Sequence, residues 1–151
     1  MPPLHPMLVH FPIALLAAAA GLEAAAFVLK RDDLSRAGWW IQLAGTLAIG
    51  AAVLSGIVAG DAPGIPAAAA GTMESHEELA FLASGTFGAL LLWRVAAKTR
   101  IPGPAPLVYV GVLCAAVLVL LVVAWFGGEL VYRHGVGVAT GLKGVASGAK
   151  Q

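Results

Sequence analysis

The chain has 151 residues, 60% of them hydrophobic and only 11% charged, with a formal net charge of +1. A soluble domain carries about 25% charged residues, so an ordinary water-soluble core is excluded and the bilayer is the expected solvent. No basic stripe interleaved with aromatics is present for nucleic acid, and a lone Cys114 without any CxxCH excludes both an internal disulfide and a covalently attached c-type haem.

The first apolar segment is entered through Leu4-His5-Pro6-Met7-Leu8-Val9-His10-Phe11-Pro12. Two imidazoles at the edge of hydrocarbon need a reason, since ionisable groups within a membrane segment are functional candidates by default. No Lys or Arg precedes this segment and Lys30-Arg31 come after it, the reverse of a secretory n-region, so it reads as a retained span. Pro6 and Pro12 read as devices that set how the histidine segment enters the fold, Pro12 standing where a helix start leaves its donor unpaired anyway.

Crossing about 30 Å of hydrocarbon takes about 20 residues, and four segments reach that length: 7–29, 38–59, 77–97 and 106–126. Short connectors make successive spans antiparallel neighbours, so the expected fold is all-α, an integral membrane up-down four-helix bundle. The membrane domain is expected over residues 1–138. The stretch beyond Phe126 is Gly-rich and mildly basic, and a flexible tail is expected over 139–151. Small residues such as Gly45, Gly56-x-x-x-Gly60 and Gly85-x-x-Gly88 suit close helix approach. Ser75-x-x-Glu78 reads as a capping box opening span three, with His76 in its first turn.

Lys30, Arg31, Arg36, Arg94, Lys98 and Arg100 fall at one end of the spans, against Arg133, Lys143 and Lys150 at the other. The positive-inside rule then puts both termini outside, in the periplasm of a bacterial inner membrane, with Trp39, Trp40, Trp93 and Tyr109 as an inner aromatic belt and Trp125 and Tyr132 as an outer one. On this topology His5, His10, His76 and His134 all reach the outer side, with Asp61 and Glu129 beside them. Glu23 is the one acid deep in span one. It is expected to snorkel toward Lys30, seven residues on, or to belong to a proton path with Gln42 and Thr46 as hydrogen-bonding neighbours.

Imidazoles from facing helices are what axial haem ligation needs. His10 and His76 make the best pair, His5 and His134 are further ligands or hydrogen-bond partners, Asp61 supports from behind, and Arg133 pairs with a propionate. Gly127-Gly128 would leave room for a flat macrocycle. The same imidazole and carboxylate set also suits a zinc, copper or iron ion, with His10, His76, His134 and His5 as ligands. A histidine at a membrane interface also serves simply as an amphipathic side chain reaching water, which keeps a cofactor-free accessory subunit of a larger complex open.

His5-Pro-x-x-Val9-His10-x-Pro12-Ile-Ala-Leu, Gly60-Asp61, a lone His76, and Gly127-Gly128-x-Leu130-Val131-Tyr132-x-His134-Gly135-Val136-Gly137-Val138 resemble a bacterial family of predicted membrane proteins catalogued as domain of unknown function 2231. The likeness runs from Leu4 to about Val138. Some members look fused to Rieske-type or c-type cytochrome domains, which implies membrane electron transfer outside the cytoplasm. The expectation is a b-type cytochrome-like protein holding haem b and exchanging electrons with a periplasmic cytochrome, a Rieske-type carrier, quinone or a larger membrane complex. A metal-dependent membrane protein or enzyme is the alternative.

Overall fold

A computed structural model describes residues 4–60, 65–98 and 106–137. Its helices are α1 (Leu4–Leu8), α2 (His10–Leu29), α3 (Asp32–Gly60), α4 (Ala70–Ala96) and α5 (Pro106–Tyr132), with a 3-10 turn over Ala67–Ala69 before α4. Among the described residues there is no strand. Four of these stretches are long and apolar enough to cross a membrane: His5–Leu29, Asp32–Val58, Ala67–Ala96 and Pro106–Tyr132. In hydrocarbon every backbone group must find its partner within the segment, and the helix does that. The chain is a multi-pass membrane protein.

The breaks between elements have local causes. Pro12 has no N–H to give the Leu8 carbonyl, and its ring crowds that carbonyl; α1 accordingly stops at Leu8 and α2 begins at His10. Lys30 ends α2 in the left-handed conformation (φ 54°), its N–H and that of Arg31 both returning to the Ala26 carbonyl. Asp32 and Asp33 then occupy the first turn of α3, where carboxylates favour the helix dipole. Gly135 (φ 67°) closes α5, with its N–H on the Val131 carbonyl and that of Val136 on Leu130.

Three boundaries depart from the sequence reading. The second span starts at Asp32, not residue 38, because the polar turn Asp32-Asp33 is already helical ahead of the apolar stretch. The third span starts at Ala70, not residue 77, because extended Pro66 and the 3-10 turn launch the helix earlier. The N-cap is therefore Ala69 with no side-chain bond, Ser75-x-x-Glu78 caps nothing, and His76 sits in the second turn. The fourth helix continues through Gly127-Gly128 to Tyr132, since lipid penalises an open backbone more than glycine weakens a helix. The tail expected at 139–151 lies outside the described residues.

Around the bundle, α2 packs on α3 and α5, and α4 on α5 and α3, while α1 lies against α3. Leu16, Ile49, Phe87, Leu113 and Leu120 fill the centre. Large apolar side chains such as Leu47, Val58, Leu92, Leu118 and Trp125 remain exposed on the periphery. A soluble protein would not leave so much apolar surface uncovered; lipid is its complement. The ends of the bundle carry different chemistry: His5, His76 and His134 at one, Lys30, Arg31, Arg36 and Lys98 at the other.

Candidate functional site

At the histidine end, His5 on α1 and His76 on α4 meet with ring centroids 6.4 Å apart and planes at 89°. Each ring is half-buried and oriented by a helix it does not belong to. His5 Nδ1 lies 3.0 Å from the Ala52 carbonyl and 3.0 Å from Ser55 Oγ. The Ser55 hydroxyl donates to that same carbonyl at 2.7 Å, so both oxygens accept from Nδ1–H. His76 Nδ1 donates to the Val123 carbonyl at 3.0 Å. A carbonyl only accepts, which assigns the proton to Nδ1 in both rings and leaves each Nε2 with a lone pair. That is the arrangement in which histidine binds a metal, its far nitrogen tied to a backbone oxygen.

Glycines make the approach possible. A Cβ at Gly56 would stand 3.0 Å from His5 Cε1, and one at Gly127 would stand 3.3 Å from His76 Cε1. Each ring thus lies over a helix backbone that a side chain would have covered.

The pair brought together is not the one expected. His10 is exposed. With the chain broken at Val9, Pro12 is the first buried residue of α2, and Leu16, Ala19 and Glu23 continue the same face; two residues before Pro12, at about 100° per residue, His10 projects from the far side. His5, one turn before the break, takes the inward place instead. His134 stands apart with Nε2 3.4 Å from Thr72 Oγ1, and Arg133 pairs with Glu129 at 3.2 Å. Asp61 lies outside the described residues. Among the described residues no three His, Cys, Asp or Glu side chains gather closely enough to hold a metal ion.

The basic end contains a second polar centre that sequence reasoning dispersed. Glu23 does not reach for Lys30, which is exposed; it is ion-paired with Arg94 Nη1, both side chains fully buried. The same guanidinium donates to Gln42 Oε1 at 3.3 Å, to the Ser35 carbonyl at 2.6 Å and to Ser35 Oγ at 3.0 Å. Ser35 Oγ passes its proton on to Glu23 Oε2 at 3.2 Å, and Tyr109 donates to Gln42 Oε1 at 2.5 Å. The guanidinium carbon sits 5.6 Å from the Trp39 ring and 5.8 Å from that of Tyr109. Gln42 Nε2 is buried without a partner among the described residues, while Thr46 turns to the Gln42 carbonyl. By sequence Arg94 is one more topology-setting cation and Tyr109 an interface aromatic. Arg94 has five donors and Glu23 four acceptor sites, and packing α2, α3, α4 and α5 together here lets them satisfy one another out of water.

A four-span helical membrane protein with a histidine pair at one end and a compensated ion pair at the other is thus the class defined by fold and site. Residues 1–140 match the family described as predicted membrane protein (DUF2231), and the chain belongs to it. No curated protein and no solved structure matches the chain.

Proposed function

We propose that this chain is a membrane b-type cytochrome-like electron-transfer protein in which His5 and His76 would hold a haem b. The observation that carries the reading is the pair of Nδ1–H···O=C bonds, to Ala52 and to Val123, which leave two Nε2 lone pairs on rings 6.4 Å apart. The 6.4 Å between ring centroids is close to the roughly 6 Å expected of two imidazoles sharing one metal through bonds of about 2 Å, which supports the reading. A haem brings four ligands of its own and needs only axial partners; a zinc ion wants about four from the protein, more than the described residues gather.

When bound, the haem would supply one-electron chemistry at an iron whose potential follows axial ligation and burial. The protein's own part is to hold the rings. Ala52, Ser55 and Val123 fix tautomer and direction, and Gly56 and Gly127 keep the space over each helix clear. The spread of Lys and Arg supports a bacterial inner-membrane location with the histidine end and both termini in the periplasm. A periplasmic cytochrome or Rieske-type carrier on that side and quinone in the lipid are the partner classes this topology suits.

The test is optical. Protein purified from haem-sufficient cells should show a Soret band that shifts on dithionite reduction; His5→Ala or His76→Ala should abolish it, and His10→Ala should leave it. A colourless preparation carrying stoichiometric zinc, copper or iron transfers the site to a bare metal ion. Neither haem nor metal leaves the accessory-subunit reading in its place.

A further inference from the structure

We propose that the chain is a fused duplicate of one helical hairpin, and that its two halves hold a single guest between them on the pseudo-two-fold axis that relates them. The register is first visible at the histidines. His5 reaches the Ala52 carbonyl and His76 the Val123 carbonyl, each at 3.0 Å and each across a separation of 47 residues. Gly56 and Gly127, under the two rings, each lie four residues beyond the accepting carbonyl. One offset, 71 residues, carries every member of the first set onto the second: 5 onto 76, 52 onto 123 and 56 onto 127.

The same offset organises the rest of the bundle. It carries Leu16 onto Phe87 and Ile49 onto Leu120, all buried. It carries Phe11 onto Leu82 (62% and 57% exposed) and Leu47 onto Leu118 (66% and 64%). It carries Glu23 onto Arg94, the two ends of the buried ion pair. Helix packing agrees: α2 pairs with α3 as α4 does with α5, and the α2–α5 contact has its counterpart in α4–α3. Because α2 and α4 run the same way, the relating axis lies along the bundle, the parallel kind of membrane repeat.

A residue that touches its own counterpart must stand beside that axis. His5–His76 does so at one end and Glu23–Arg94 at the other. Identical charges buried face to face would be strongly unfavourable, and there the halves differ. Identical imidazoles facing one electron-pair acceptor are favourable, and there they are alike. The guest would accordingly be one metal centre per chain, held equally by His5 from one half and His76 from the other. This placement of the guest rests on the ligand reading above; the duplication rests on the packing alone.

Two measurements on the full-length protein separate them. In a Cys114→Ala background, spin labels are placed at Phe11→Cys with Leu118→Cys, and separately at Leu82→Cys with Leu47→Cys. The axis requires both pairs to give the same inter-label distance in lipid nanodiscs; medians differing by more than about 5 Å, half a helix diameter, overturn the duplication whatever is bound. For the guest, one equivalent per chain and comparable losses on His5→Ala and His76→Ala are expected. Two equivalents per chain, or a tenfold difference between the two variants, overturn the axial placement. Complete absence of a guest removes the ligand reading and that placement with it, and the label distances then decide the duplication by themselves.

Discussion

At the histidine end each ring gives one proton to a carbonyl and keeps a lone pair unused; at the basic end four helices turn their polar groups onto one another. Both ends bury polar side chains, yet only the first keeps imidazole lone pairs that a metal centre could accept. The second is closed apart from Gln42 Nε2. A buried group with capacity to spare suggests binding, whereas a buried group fully engaged suggests assembly.

That contrast is most easily broken at Arg94. Arg94→Ala leaves the Glu23 carboxylate buried without its cation, a loss of about 3–5 kcal/mol, read as a shifted midpoint in denaturant titration in bicelles. The Glu23→Ala/Arg94→Ala double variant should lose much less than the sum of the singles; simple additivity would mean the pair is not coupled. A smaller effect of the same kind is expected at Gly38, where an added Cβ would fall 2.5 Å from Glu23 Oε1. Gly38→Ala should cost about 1–3 kcal/mol as overpacking, and an unchanged midpoint would show that the centre can yield. Gly56→Ala and Gly127→Ala sharpen the comparison from the other side. Their stability should move by less than about 1 kcal/mol, but the Nδ1–H resonances of labelled histidine should shift, more for His5 than for His76, since the clearance is 3.0 Å against 3.3 Å. Unmoved resonances would mean that the rings do not rest on those backbones.

The spans were legible because lipid imposes a length and an apolarity that few other segments share. Their ends were less so: Ala67 to Ala70 carry no polarity signal, and Gly127-Gly128 look like a loop unless the surrounding solvent is known. The histidines were recognisable as a set, but choosing His5 over His10 needs the helix phase, which Pro12 resets at Val9. Arg94 was hidden in another way. A cation near a span end is the usual mark of an interface, and nothing in one dimension shows that Arg94 turns inward to meet the carboxylate at the same end of α2. The 71-residue repeat was hidden for a related reason: at the positions that matter it retains His5 with His76 and Gly56 with Gly127, while Glu23 has become Arg94 and Gln42 has become Leu113.

The Lys30-Arg31 turn has a bearing on how the protein is made. With two residues between α2 and α3, these helices form one tight hairpin. Glu23 is synthesised about seventy residues before its cation, with only the Ser35 hydroxyl of its own hairpin to meet it. A carboxylate held in hydrocarbon costs a few kcal/mol, so the first hairpin alone should insert less readily than the whole chain, in which Arg94 supplies the missing cation.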